Sequence, residues 1–269
     1  MRRFLLSLVI GIIFLFNTLS VTAEGSGNTA AFNTSMLNSG IVKVSYASNV
    51  EKLKVVIEKN SKKYTYNLNN DGIEESFSLQ MGNGDYKVSL YENTSGDKYK
   101  RISSENVTLN LSDEKEVYLS SVQNINWDAQ NAAIKKARDL TKDLTSDQEK
   151  LDAIYNYIIS NVKYDYAKLN GLKSDYLPDI DSTLNSRSGI CYDYASTFAA
   201  MLRSIGIPTK LVKGYSTNVD GYHAWNEVYN SKTKKWIVID TTYDSQMKNA
   251  KVKCSMEKKA GQYTKANEY

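Results

Sequence analysis

The spacing of apolar residues changes near Trp127, and that change divides the chain into two folding problems. Before it, apolar residues fall at alternate positions: Leu53, Val55 and Ile57; Tyr64, Tyr66 and Leu68; Tyr86, Val88 and Leu90; Val107, Leu109 and Leu111. A period of two puts such side chains on one face of an extended strand. Turn-forming clusters separate the runs at Asn69-Asn70-Asp71-Gly72, Gly82-Asn83-Gly84-Asp85 and Ser95-Gly96-Asp97. Short strands at this spacing predict a small antiparallel β-sandwich of immunoglobulin-like type across residues 24–122. No catalytic constellation falls within it.

After Trp127 the period becomes helical. Ala133, Ala137, Leu140 and Leu144 lead into Ser146-Asp147-Gln148-Glu149, which reads as a capping box. The helix it opens carries Leu151, Ile154, Tyr155, Ile158 and Val162 on one face. A turn-rich stretch over 168–188 contains Pro178. A shorter helix then opens around Ser188-Gly189, buries a stripe of Ala195, Phe198, Ala199 and Leu202, and stops at Gly206 and Pro208. Strands are predicted over 210–216, 222–229 and 235–240. Helices followed by an antiparallel meander make residues 123–250 an α+β domain.

The two ends have their own signatures. Arg2 and Arg3 precede an apolar run from Phe4 to Phe16, and Val21-Thr22-Ala23 supplies a small-residue cleavage pattern, so residues 1–23 read as a signal peptide. The run is short for a membrane span, an uncleaved anchor being the alternative, and no later stretch is long and apolar enough to cross. No Cys near its end offers a lipid attachment point. Cleavage predicts a secreted, extracellular protein, with association at the cell surface as a further option. Taking two arginines from the 34 Lys+Arg leaves 32 against 30 Asp+Glu, a balance that gives no electrostatic case for nucleic acid. Residues 251–269 are a locally basic C-terminal tail, with Lys251, Lys253, Lys258, Lys259 and Lys265 against Glu257 and Glu268. A solvated tail is expected there, contact with an anionic wall polymer being the alternative.

With two cysteines and one histidine, the chain is a poor disulfide scaffold and a poor zinc site. It has no nucleotide, flavin or calcium-loop motif, so no cofactor is expected. Cys191 falls in the first turn of the shorter helix, where unpaired N–H groups and the helix dipole favour a thiolate. By position alone, a small buried hydrophobe or half of a disulfide with Cys254 serves equally well. The hairpin discriminates. A loop of Asn230 to Thr233 pairs Tyr229 with Lys234 and sets His223 opposite Asp240, about 5 Å away between Cβ atoms. The same register faces Trp225 with Val238 and Glu227 with Trp236. A carboxylate there orients an imidazole, and a helix-terminal Cys precedes it, which together supply nucleophile, base and orienter for acyl transfer. Cys254 has no histidine left to activate it and reads as a bystander.

In chain order, Gly189-Ile190-Cys191-Tyr192-Asp193-Tyr194-Ala195, Gly206-Ile207-Pro208, Lys213-Gly214-Tyr215, His223-Ala224-Trp225-Asn226-Glu227-Val228 and Trp236-Ile237-Val238-Ile239-Asp240-Thr241-Thr242 resemble the transglutaminase-like core. The resemblance runs from about Asp147 to Ser245. It implies a papain-like cysteine-enzyme domain with Cys191, His223 and Asp240 as its triad, in a family of transferases, peptidases and members without known activity. The expected chemistry is acyl transfer or hydrolysis at a glutamine side chain or peptide amide, through a Cys191 thioester, on a protein or wall-peptide substrate. The Cys191 N–H and one of Asn185, Tyr164 or Tyr166 would hold the oxyanion. Trp225 either walls the acyl site or packs in the core. The alternative is a non-catalytic surface-binding or scaffolding protein in which the β-domain carries the function and the triad is silent.

Overall fold

The computed structural model describes residues 30–269; the signal peptide expected over residues 1–23 lies outside them. Two antiparallel sheets make the N-terminal domain. One has the order β1-β2-β5, from Ala31–Asn33, Ile41–Ser45 and Glu75–Ser78. The other has the order β4-β3-β6-β7, from Lys62–Leu68, Leu53–Lys59, Gly84–Ser95 and Lys98–Leu109. All four alternating runs read from sequence lie in the second sheet, and their apolar residues pack with Val42, Val44 and Phe77 of the first into one core. Asn60 and Ser61, both at positive φ, close the β3–β4 hairpin, the backbone that matches strand twist in a two-residue turn.

The second domain packs helices on a five-stranded antiparallel sheet. Its early elements are α1 (Ala132–Thr141), α2 (Asp147–Asn161), the short β8 (Lys163–Tyr164), α3 (Tyr166–Asn170), α4 (Ile180–Ser186) and β9 (Ser188–Gly189), which pairs parallel to β8. The capping box is present at α2: Ser146 Oγ accepts from the Glu149 N–H, and the Glu149 carboxylate accepts from the Ser146 N–H. Then come α5 (Cys191–Arg203), β10 (Thr209–Ser216), β11 (Val219–Asn230), β12 (Lys235–Ile239) and α6 (Thr241–Asn249). Every residue of α5 after Cys191 is buried, where the sequence pattern predicted a single stripe. The difference arises because the interdomain connector covers the helix. Asn124 donates to the Tyr192 hydroxyl at 2.8 Å, and Ser196 donates to the Asn124 main-chain oxygen at 2.9 Å.

The expectation of a solvated tail is corrected. β13 (Glu257–Lys258) pairs with β12, and β14 (Tyr263–Glu268) pairs with β10, giving the order β13-β12-β11-β10-β14. Lysine density concealed an alternation in which Tyr263 and Tyr269 turn inward. The Tyr269 ring meets Tyr64 and Tyr66 of the N-terminal domain at 5.7 and 6.0 Å between centroids. The buried Arg203 guanidinium donates to main-chain oxygens of Ser120, Thr209 and Tyr269, tying connector, sheet and C-terminal strand together.

β14 approaches β10 closely only because position 214 lacks a side chain. A Cβ on Gly214 would collide with the Thr264 main-chain oxygen and lie 2.9 Å from the Trp225 ring. Gly214→Ala is therefore expected to displace β14 and lower stability by about 1–3 kcal/mol, the usual cost of overpacking. Thermal unfolding, with amide exchange over residues 263–269, checks this; an unchanged midpoint and unchanged protection would contradict it.

Candidate active site

The N-terminus of α5 is built by Asp193. Its carboxylate turns back to accept from the Ile190 N–H at 2.8 Å and from Lys168 Nζ at 2.7 Å, and the Tyr176 hydroxyl also donates to it. Gly189 makes room, since a Cβ there would lie 2.7 Å from Asp193 Cβ. Cys191 is thus held as the first helical residue, with the unpaired N–H groups and positive dipole of α5 beside its sulfur. Lys168 and Tyr176 come from the turn-rich segment, and sequence reasoning found no role for either. Both cysteines are free thiols, so the disulfide alternative does not describe this structure. Cys254 donates to Asp244 Oδ1 at 2.8 Å; burial and that carboxylate push its thiol up to about 11.

His223 and Asp240 do meet, at 2.8 Å between Nε2 and Oδ2, although the expected register is corrected. Asn226 pairs with Ile239 and Glu227 with Val238, so strand pairing ends before Asp240 and is displaced by two residues from the prediction. The cause is the hairpin loop. Asn230 pairs with Lys235, its side chain accepts from the Lys232 and Thr233 N–H groups, and Lys234 adopts φ 59°. An even displacement keeps each residue on its predicted face, which is why the contact survives. Asp240 also begins α6: Oδ1 accepts from the Tyr243 N–H at 2.9 Å, while Tyr263 Oη donates to Oδ2 at 3.0 Å. Tyr263 is a contact of Asp240 that the tail composition hid.

Burial alone would lower the His223 pKa, but the hydrogen bond to Asp240 and the proximity and charge of Asp240 and Cys191 raise it to about 10. With Nε2 given to Asp240, Nδ1 is the nitrogen left for the thiol. The folded value exceeds the unfolded one of about 6.5, so the folded state holds a proton that the unfolded state releases. This contribution to stability is complete below about pH 6.5 and declines as pH rises towards 10. Between pH 7 and 10 the wild-type unfolding midpoint should fall more steeply than that of His223→Gln; parallel curves from differential scanning calorimetry would contradict this.

A cavity of about 300 Å³ opens beside the pair, lined by Ile190, Cys191, Tyr192, His223 and Ala224, with Lys213 and Tyr222 from the sheet and Leu169, Leu172 and Tyr176 from the turn-rich segment. Of the three oxyanion candidates, Asn185 is exposed on α4 and does not line this cavity. Tyr166 is exposed and its hydroxyl donates to Gln246 at 3.1 Å. Tyr164 does not line the cavity either, but it is the one of the three whose phenol responds to Cys191: burial first, then the sulfur, push it up to about 12, so it stays a protonated donor. Trp225 is a core residue. It is 1% exposed, stacks on His223 at 6.2 Å and packs with Val212, Val238 and Tyr263, behind the imidazole and off the cavity wall. A larger cleft of about 660 Å³ lies between the domains and is lined by none of Cys191, His223 and Asp240.

Residues 134–241 match the family model described as the transglutaminase-like superfamily. The human kyphoscoliosis peptidase is 27% identical over 160 residues, covering 55% of this chain and 23% of that protein. A peptide-N(4)-(N-acetyl-beta-glucosaminyl)asparagine amidase of Yarrowia lipolytica is 33% identical over 63 residues, 23% of this chain and 16% of the relative. The chain thus spans about a quarter or less of the length of these curated relatives. Among solved structures, a candidate cysteine protease from Cytophaga hutchinsonii aligns with a TM-score of 0.47 at 16% identity, over 82% of this chain and 71% of that one.

Proposed function

We propose that the transglutaminase-like core domain carried by residues 134–241 is a cysteine enzyme that opens amide bonds through a thioester on Cys191. The observation that carries this is His223, hydrogen-bonded to Asp240 through Nε2 and facing the same cavity as the Cys191 thiol at the start of α5. The sulfur attacks the carbonyl of a glutamine side chain or peptide bond. The imidazolium gives its proton to departing ammonia or amine, and the neutral ring then activates the water or amine that resolves the thioester. The Cys191 N–H and the Tyr164 hydroxyl are the donors we assign to the oxyanion. The names of the relatives, a peptidase and an amidase, support amide cleavage. The N-terminal sequence supports action outside the cell, on a protein or wall peptide. Strand orders β1-β2-β5 and β4-β3-β6-β7 support reading the first domain as an immunoglobulin-like sandwich that spaces or presents the enzyme.

The test incubates the protein with a glutamine-containing peptide and a tagged primary amine, with Cys191→Ala as control. Amine incorporation lost in the variant identifies a transferase; Cys191-dependent deamidation or peptide release identifies a hydrolase. The reading is overturned if no Cys191-dependent product forms and Cys191 alkylates no faster than Cys254.

A further inference from the structure

We propose that the cavity beside Cys191 is a subsite for a carboxylate on the acyl donor, and that the Lys213 ammonium is its anchor. This rests on the cysteine-enzyme reading above and adds a substrate class to it. β10 sets Lys213 opposite Ala224 and next to Gly214, the partner of His223, so its side chain leaves the sheet on the α5 side. There the ammonium sits over the Tyr192 ring at 3.5 Å from the centroid, with the Tyr269 ring at 5.3 Å. Both rings offer their faces to a cation but neither neutralises it.

Four other lysines of this domain have an acid. Lys168 meets Asp193, Lys258 meets Asp244, Lys210 meets Glu268 and Glu227, and Lys265 meets the same two glutamates. Lys213 Nζ has neither an ion pair nor a hydrogen bond among the described residues. No carboxylate lines its cavity, where the charged or titratable companions are Lys173, Cys191, Tyr176, Tyr192, Tyr222 and His223. Asp193, in the first turn of the same helix, is already committed to Lys168, Tyr176 and the Ile190 N–H. Burial without a counter-charge pushes the Lys213 pKa down to about 8, the Cys191 sulfur opposing that shift. Methionine would fill the space over Tyr192 at lower cost, so the cation is explained by a ligand that brings the missing charge. The cavity is at the small end of ligand pockets, and Leu169, Leu172 and Tyr222 supply apolar walls around the anion. A substrate carboxylate held there lies beside the bond that Cys191 attacks. It is either an acidic side chain next to the reacting residue or a free chain terminus.

Two alkylating reagents of nearly equal size test this without knowledge of the natural substrate. Iodoacetate carries the carboxylate and iodoacetamide is its neutral counterpart; peptide mapping reads Cys191 and Cys254 separately in the full chain. After normalising to N-acetylcysteine, the iodoacetate-to-iodoacetamide rate ratio at Cys191 should exceed that of the free thiol by roughly tenfold, as expected for a charge-assisted contact. Lys213→Met should remove that preference and Lys213→Arg should retain most of it. If Lys213 serves only to stabilise the Cys191 thiolate, both rates fall together in Lys213→Met, the ratio is unchanged, and the inference is overturned. If Cys191 reacts with neither reagent faster than Cys254, the cysteine-enzyme reading itself fails, which is a separate result. Should Lys213→Met not fold, Lys213→Gln carries the same comparison. Paired glutamine peptides then separate the two sources: Glu against Gln at the neighbouring position, and a free against an amidated C-terminus. A preference for either acidic form that Lys213→Met abolishes supports the subsite, whereas equal rates for all four overturn it.

Discussion

Asp240→Asn is expected to reduce Cys191-dependent turnover by about three to four orders of magnitude while leaving the protein folded. The reason is a count of acceptors. Asp240 offers two oxygens to three donors: Oδ1 takes the Tyr243 N–H that starts α6, and Oδ2 takes His223 Nε2 and Tyr263 Oη. Asparagine has one oxygen. If it stays on the Tyr243 N–H, the amide NH2 faces His223 and forces Nε2 to accept. Nδ1 then carries the proton and cannot take one from the thiol. If it turns to His223, the NH2 meets the Tyr243 N–H and the helix loses its cap, at about 0.5–2 kcal/mol. A tautomer change and a rotated tyrosine hydroxyl cost less than an uncapped helix, so the first arrangement wins and catalysis is what is lost. Asp240→Ala should lose both, with stability down by about 2–4 kcal/mol from the missing cap and the orphaned imidazole. Tyr263→Phe removes one donor and should cost only a few-fold. Amine incorporation or peptide release, measured with thermal unfolding, separates the three variants. Asp240→Asn within tenfold of wild type would show that Asp240 does not set the tautomer.

The approach of His223 to Asp240 and the place of Cys191 at a helix start were legible because their signals are local. A helix start marks Cys191, and strand parity puts His223 and Asp240 on one face whatever even slip the hairpin loop takes. The register itself was not legible. It depends on an Asn230 side chain folding over its own loop and on Lys234 accepting a left-handed backbone, and neither shows in apolar periodicity. The alternation of β3, β4, β6 and β7 is legible in the sequence, while β1, β2 and β5 carry no comparable signal. They are short, and β1 and β5 each hold too few alternations to stand out. Lys213 was visible as part of a motif, but its missing counter-charge is a property of three dimensions. Composition was least reliable at the C-terminus, where charged residues on the exposed face of an edge strand look like solvent-facing tail.

That last difference gives the sharpest stability test. Truncation after Gln262 removes β14 alone, and a solvated tail would be lost without consequence. The structure requires the opposite. The Tyr269 N–H and main-chain oxygen close a pair of bonds with Leu211 at 2.8 and 3.0 Å, and the same oxygen takes Arg203 Nη2. Glu268 holds Tyr118 at 2.7 Å and Lys210 at 3.2 Å, and its main-chain oxygen accepts from Gln80 at 3.2 Å. Losing several ladder bonds at about 1 kcal/mol each and the aromatic contact with Tyr64 and Tyr66 at about 1.5–3 kcal/mol exceeds 5 kcal/mol. Leaving the Arg203 and Lys210 cations short of partners adds to that sum. Domains of this kind have about 5–15 kcal/mol in total, so the truncated chain is expected to unfold or aggregate at 37 °C. Tyr269→Ala should fall part-way, and circular dichroism with a thermal ramp ranks the two. A truncated protein that melts with the full chain would return β14 to the status of a tail and remove the basis for Tyr263 at Asp240.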